Sequence, residues 1–337
     1  MDLKRDQVPV AAATAIASPS LADTVALASR FAANSRASRT KKIYEHCWAD
    51  FAAWCCEFGF QPLPASPKTV ALYLSARATR LKASTLEGRL AAISVIHRRA
   101  GFTFDTRDPG FLEVWRGIRR TLGTETKGKA PLLIGDIAAI VSTLPRTLTG
   151  KRDRAIFLAG FAGALRRSDI VGSNVEDLRV TSEGILLRLR RGKTDQDGEG
   201  QWRAIPKGEI PATCPVRALK EWLVAARLGD GPLFRPVDQL GRLGQKRLCI
   251  NAVTLIVKRA VKRHGAAAGW TDREIAERVS AVSSHSLRAG FATTASAAGI
   301  EETAIMKQTG HKRREELQRY IRLGTTFRGN AASRIGL

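Results

Sequence analysis

Residues Gly123 to Lys129, GTETKGK, divide the chain, because seven consecutive polar or glycine residues offer nothing to a hydrophobic core. Apolar residues recur at helical spacing on both sides of this stretch. A polypeptide of 337 residues also exceeds what one core usually organises. Two domains are therefore expected: a flexible arm over 1–34, a helical domain over 35–122, a linker over 123–130 and a second domain over 131–337.

Between Ser38 and Phe58 the apolar residues Ile43, Cys47, Trp48, Phe51, Cys55 and Phe58 form one helical face, behind a first turn carrying Arg39, Lys41 and Lys42. Ser66-Pro67 offers an N-cap and a proline at the first helical position. Ser84 to Glu87, S-T-L-E, has the form of a capping box, and Gly101 is the expected stop of that helix. A shorter helix is predicted from Phe111 to Arg120. The first domain thus reads as an all-helical bundle with a basic rim.

Beyond the linker, helices are predicted over Ile134 to Leu144 and Arg152 to Leu165. The period then becomes that of strands at Leu178 to Val180 and Ile185 to Leu189. A turn over Asp195 to Gly200 leads into Trp202 to Ile205 and closes a β-hairpin. Further helices are expected over Pro215 to Leu228, Asn251 to His264 and Asp272 to Glu277, with two more after His285. The fold class is mainly α with a small β-sheet, an all-helical N-terminal domain followed by a mixed α/β domain.

Charge narrows the partner. The 55 Lys and Arg against 31 Asp and Glu give a formal charge of +24, a surface surplus that favours a polyanion. Neutralising phosphates releases condensed counterions, so nucleic acid fits without any sequence preference. Cys47, Cys55, Cys56, Cys214 and Cys249 lack C-x-x-C spacing, which supports neither zinc nor a disulfide framework and suits a reducing cytosol. Cys47 and Cys55 share an apolar helical face and are expected in the core. No run of eighteen apolar residues predicts a membrane span. Lys4 and Arg5 before VPVAAATAIA faintly suggest a secretory signal, but small residues fill it, so a disordered or partly helical arm is expected.

Four patches in fixed order carry chemistry: ALRRSD with Arg166, RGKTD with Lys193, HSLR from His285 to Arg288, and GH followed by RYIR, giving His311 and Tyr320. His285 and Arg288, three apart at a helix start, project from one face toward a shared phosphate. Arg166 follows the apolar FAGAL segment, where a guanidinium is costly unless an anion meets it, and Asp169 three residues on can hold that guanidinium. Arg167 suits a structural salt bridge better. Lys193, beside a hairpin turn, can protonate a departing 5′ oxygen. Tyr320 is the one tyrosine outside the first domain, since the chain's other two are Tyr44 and Tyr73. A phenol with an ordinary pKa of about 10 must lose its proton as it attacks phosphorus, which nearby cations ease.

In order and spacing these patches resemble the tyrosine site-specific recombinases of the phage integrase family, the Cre-like members above all. AAWC at Ala52 to Cys55 and HRRAGF at His97 to Phe102 extend the likeness into the first domain. The resemblance implies that Arg166, Lys193, His285, Arg288 and His311 surround the scissile phosphate while Tyr320 attacks it, leaving a 3′-phosphotyrosyl link without metal, cofactor or ATP. It also implies a C-shaped clamp on double-stranded DNA with an inverted-repeat target, a homotetramer on synapsed DNA formed from free monomers, and a cytoplasmic, nucleoid-associated location. By register with the family, Asn251 and Thr254 on one helix and Lys42 on another would face the major groove, and Arg39 and Lys41 beside Lys42 would also bind DNA. A tail carrying Phe327, Ile335 and Leu337 would either dock in a neighbouring subunit or fray. Cre-like members have tryptophan at the position of His311, whereas histidine after glycine is common in the wider family. A type IB relaxing topoisomerase shares this chemistry, and a DNA-binding regulator that lost the reaction would share the fold.

Overall fold

The computed structural model describes residues 20–34, 38–123, 128–190 and 200–325. Lys193, the turn residues 195–199, residues 1–19 of the arm, linker residues 124–127 and the tail residues Phe327, Ile335 and Leu337 lie outside them. The chain divides into two compact units, Met1–Thr126 and Lys127–Leu337.

The regular elements among the first unit's described residues are all helices: α1 Leu21–Asn34, α2 Ser38–Glu57, α3 Pro67–Ala78, α4 Ala83–Arg99 and α5 Pro109–Leu122. Leu21, Val25 and Phe31 on α1 are exposed. Local capping sets most starts. The Ser66 side chain accepts a hydrogen bond from the Thr69 N–H at 3.1 Å, ahead of Pro67. Asp108 Oδ1 accepts from the Phe111 N–H at 2.8 Å, so α5 begins at Pro109 rather than at Phe111. The expected capping box at Ser84 is absent, because the chain already turns helical at Ala83 behind Lys82, which makes no side-chain cap.

Phe51, Tyr73, Leu74, Leu86, Ile93 and Phe111 fill this unit's core, and Cys47 and Cys55 are buried with them. One carboxylate ties three helices at its edge. Asp50 on α2 accepts from the Tyr73 hydroxyl at 2.6 Å, from Arg77 Nε and Nη2 at 3.0 and 3.1 Å, and from Arg89 on α4. Burial and then the Asp50 hydrogen bond push the Tyr73 phenol far above its ordinary pKa, so this tyrosine serves the structure as a neutral donor.

The second unit runs α6 Ile134–Ser142, α7 Leu148–Ala162, α8 Arg167–Gly172, β1 Leu178–Val180, β2 Gly184–Leu189, β3 Gln201–Pro206, α9 Pro215–Ala225, α10 Ala252–Ala267, α11 Asp272–Ala281, α12 His285–Ala297, α13 Glu302–Thr309 and α14 Arg314–Thr325. With the first unit it makes a mainly helical fold with one antiparallel sheet of order β1-β2-β3, as expected. The described residues from His285 onward form three helices, where the sequence suggested fewer, because Gly310 adopts φ +66° and separates α13 from α14.

Helix α7 is the buried axis of this unit. Ile156, Phe157, Leu158 and Ala159 lie in sequence on it and all are buried, so its central turn leaves no face for solvent. Thr147 Oγ1 accepts from the Gly150 N–H at 3.3 Å, which starts α7 at Leu148, earlier than predicted. It also stops before Leu165, since Ala164 turns left-handed at φ +47°. Helix α12 packs on α7 through Leu287, which is fully buried. Gly290 lets α12 approach the segment after the linker: a Cβ there would lie 1.7 Å from the Leu132 carbonyl oxygen. The Leu132 N–H donates to the Ser286 carbonyl at 3.0 Å, fixing the start of α12 against that segment.

Candidate active site

Four elements of the second unit converge on one small region. The turn after α7 leads into Arg166, which stands at the N-cap of α8 rather than at the end of α7. Asp169 does not hold the Arg166 guanidinium as expected: its Oδ2 accepts from the Arg166 backbone N–H at 2.9 Å, and its Oδ1 from the Ser168 hydroxyl at 3.3 Å. The carboxylate is thereby spent on fixing the backbone. The half-buried guanidinium reaches toward the Gly310 carbonyl, 3.5 Å from Nη2. Arg167 makes no ion pair among the described residues, contrary to expectation.

Helix α12 begins at His285, which puts His285 and Arg288 on its first turn. His285 is exposed, whereas Arg288 is only 2% exposed. Arg288 Nη1 donates to the Ala164 carbonyl at 2.8 Å. Its Nη2 is buried with no hydrogen-bond partner among the described residues. Burial, together with Arg166 and Arg203, lowers the Arg288 pKa to about 10. A buried cation with an unsatisfied N–H is costly by itself and becomes favourable when an anion accepts from it.

Tyr320 is delivered by α14, which seats on α12 and α13. Leu317 is fully buried against Ala292 and Ile305, with Tyr320 packed at the edge of this cluster. Glu302 on α13 accepts from Arg314, and from Gln318 Nε2 at 3.3 Å, so both carboxylate oxygens hold α14. The Tyr320 hydroxyl lies 2.7 Å from His285 Nε2. The His311 ring stacks beside the Tyr320 ring at 6.1 Å between centroids and 17° between planes.

Gly310 turns the chain from α13 into His311. The Thr309 hydroxyl donates to the Ile305 carbonyl at 2.7 Å, so at its 2.9 Å contact with His311 Nδ1 it acts as acceptor. Neutral His311 therefore carries its proton on Nδ1 and leaves Nε2 as a hydrogen-bond acceptor. Burial, with Arg288, Arg166, His285 and Arg203 in decreasing order, pushes its pKa down to about 4 from the ordinary 6.5.

The structure thus brings Tyr320, His285, His311, Arg288 and Arg166 together, with Asp169 behind Arg166; Lys193 lies outside the described residues. Among the residues predicted to read DNA, Arg39 and Lys42 are exposed and Lys41 half-buried on the first turn of α2. Asn251 is exposed just before α10. The Thr254 hydroxyl is engaged by Ser284 Oγ at 3.0 Å, next to His285. Sequence reasoning missed Arg203, on β3, which is buried and adds positive charge behind Arg288 and His311. Its signal was a basic residue at an inward position of an alternating strand. Among the described residues no group of His, Cys, Asp and Glu gathers to hold a metal ion, and no helix is long and apolar enough to cross a membrane.

Comparison with known proteins bears on this geometry directly. The Phage integrase family model matches residues 134–326, which include Arg166, His285, Arg288, His311 and Tyr320. An integrase/recombinase xerD homolog of Selenomonas ruminantium is 38% identical over 305 residues, spanning 89% of this chain and 86% of the relative. Recombinase cre of Escherichia phage P1 is 26% identical over 302 residues, spanning 82% and 84%. The chain is thus nearer the xerD homolog than Cre, so the expected special likeness to Cre is not what these identities favour. Among solved structures, a lambda integrase dimer bound to a COC' core site matches with a TM-score of 0.56 at 16% identity, covering 91% of this chain and 95% of that one. XerH recombinase bound to a palindromic difH substrate matches at 0.53 and 16%, covering 80% and 71%. These two share the fold. The chain belongs to the phage integrase family and is a tyrosine recombinase.

Proposed function

We propose that this protein cuts and rejoins DNA at a specific site through a 3′-phosphotyrosyl intermediate, with Tyr320 as the nucleophile. The hydrogen bond of 2.7 Å between the Tyr320 hydroxyl and His285 Nε2 carries the reading. It supplies a base to the phenol at the moment it needs one, inside a cluster of cations that favours the phenolate.

Tyr320 Oη attacks phosphorus and passes its proton to His285, while the bond from phosphorus to the 5′ oxygen breaks. Arg166 and Arg288 hold the non-bridging oxygens, with Arg288 Nη2 already unsatisfied and waiting for an acceptor. Lys193 protonates the departing 5′ oxygen, a role that rests on its place in the RGKTD patch. His311 offers a neutral ring beside the tyrosine that can hydrogen-bond the phosphate or the tyrosine oxygen. The 5′ hydroxyl of a partner strand then attacks the phosphotyrosine and gives its proton to Lys193, while the bond from phosphorus to Tyr320 breaks and His285 returns its proton to the tyrosine oxygen. One phosphodiester replaces another through an ester of similar energy, so the cycle calls on neither ATP nor a metal ion.

Duplex DNA with paired inverted repeats is the proposed substrate, and a homotetramer assembled from free monomers acts on two synapsed duplexes. Each chain has one tyrosine in its catalytic unit, and a full exchange needs four cuts. The XerH neighbour, bound to a palindromic substrate, supports this symmetry. Arg39, Lys41, Lys42, Asn251 and Thr254 are proposed to touch DNA, the Thr254 hydroxyl also donating to Ser284 Oγ just ahead of α12.

The test is covalent capture on nicked duplexes tiled from the DNA that flanks this reading frame. Wild type is expected to leave a detergent-resistant protein–DNA band on one tile, and Tyr320→Phe to bind that tile without forming the band. A Tyr320→Phe protein that still forms the band overturns the proposal.

A further inference from the structure

We propose that Arg203 is a positioning residue for His311 and the third arginine of the active site, a role that rests on the recombinase chemistry proposed above. Arg203 faces inward on β3, in register with the buried Leu187 of β2, and is itself 4% exposed. A guanidinium on the inner face of a strand is a poor choice for packing, where an apolar side chain of similar length would avoid the cost of desolvation. Its hydrogen bonds say where it acts.

Nη1 of Arg203 donates to the Lys307 carbonyl in the last turn of α13, and Nη2 lies 3.5 Å from Gln201 Oε1. The same Nη2 would sit 2.7 Å from a Cβ on Gly310, so the guanidinium packs on the residue that turns the chain into His311. A second tie runs in parallel: Gln308 Nε2 donates to the carbonyls of Ala162 on α7 and Ala204 on β3, at 2.6 and 2.8 Å. The end of α13 is therefore fastened to β3 by two consecutive strand residues, Arg203 and Ala204. This fastening fixes the stacking of His311 beside Tyr320.

Charge gives Arg203 its second effect. Arg166, Arg203 and Arg288 gather with Asp169 as the nearest counter-charge, and that carboxylate is occupied by a backbone N–H. Burial lowers the Arg203 pKa, Asp169 offsets part of this and Arg166 adds to it. The groups facing His311 are Arg288 and His285 on α12, Arg166 before α8, Arg203 on β3, and Tyr320 on α14. Removing one cation from this ring makes the imidazolium less unfavourable. The His311 titration midpoint must then rise.

The experiment uses the full chain as wild type, Arg203→Met and Arg203→Lys. Three quantities are read: the His311 titration by NMR, the rate of covalent adduct on the nicked tiles described above, and affinity for the same DNA by gel shift. Arg203→Met is expected to raise the His311 midpoint by about 0.5–1 unit and to slow adduct formation at least ~10-fold, with affinity within ~3-fold. Arg203→Lys keeps the charge and loses the fork, so the midpoint stays near that of wild type while the rate still falls. If Arg203→Met does not fold, the lysine variant decides alone: a slowed adduct with an unmoved midpoint supports the role, and a wild-type rate overturns it. An Arg203→Met protein with unchanged rate and midpoint overturns the role, as does a slowed one with an unmoved midpoint. A wild type that forms no adduct overturns the recombinase reading itself, whereas the His311 shift is measured without DNA and stands or falls separately.

Discussion

Nη2 of Arg288 is buried about one turn along α12 from His285, whose Nε2 meets the Tyr320 hydroxyl at 2.7 Å. One helix start thus carries a buried donor with no partner among the described residues and, a turn away, the imidazole that meets the tyrosine. The Ala164 carbonyl, held by a left-handed backbone, fixes the other edge of that guanidinium at 2.8 Å.

Arg288→Lys tests whether the fork matters. An ammonium cannot both bond the Ala164 carbonyl and present a second, coplanar N–H to a phosphate oxygen. The rate of covalent adduct is expected to fall about 100-fold, the usual loss when one preorganised donor is removed, while DNA affinity changes by less than ~3-fold. Single-turnover kinetics beside gel-shift titration separate the two effects. A lysine variant as fast as wild type would show that charge alone suffices.

The neutral state of His311 predicts a pH signature. Its folded pKa, about 4, lies below the ordinary 6.5, so between these values the unfolded chain binds a proton that the folded chain refuses. This contribution to stability is complete above about pH 6.5 and is lost as pH falls toward 4. The Tm difference between wild type and His311→Gln is expected to shift against wild type as pH drops through that window. A difference that stays constant from pH 7 to 4 would contradict the burial of a neutral imidazole.

Asp50 offers a test in the first unit. Burial raises its proton affinity, but the Tyr73 hydrogen bond with Arg77 and Arg89 outweighs this and holds the carboxyl below its ordinary range. Its contribution is present above the ordinary carboxylate value and is lost only as pH falls through the lowered one. Asp50→Asn leaves two arginines and a buried phenol facing a neutral amide, at a cost of roughly 2–3 kcal/mol, discounted from a fully buried pair because Asp50 keeps some exposure. Urea unfolding is expected to show that loss without any change in adduct chemistry per folded molecule.

Sequence showed most where the controlling interaction is local. Ser66 and Pro67 start α3 because cap and proline act within one turn, and His285 and Arg288 fall on one face because helical spacing puts them there. Ser84 misled because a capping box is defined by where the backbone first turns, and that was one residue earlier. Asp169 misled for a related reason: three residues from Arg166, it reaches the backbone N–H more readily than a long guanidinium. Arg203 escaped notice because a basic residue in a short strand reads as exposed until its register opposite Leu187 is known. The hydrogen bond from Thr254 to Ser284, thirty residues away in sequence, was not legible because no local spacing announces it.

The most direct measurement maps the covalent link. After capture on its site and digestion, the DNA-bearing peptide of the wild-type protein is identified by mass spectrometry and the polarity of the cut strand by end labelling. A peptide containing Tyr320 joined to a 3′ phosphate, with a free 5′ hydroxyl on the released strand, is the predicted result. Attachment through any other residue, or to a 5′ phosphate, would contradict the account.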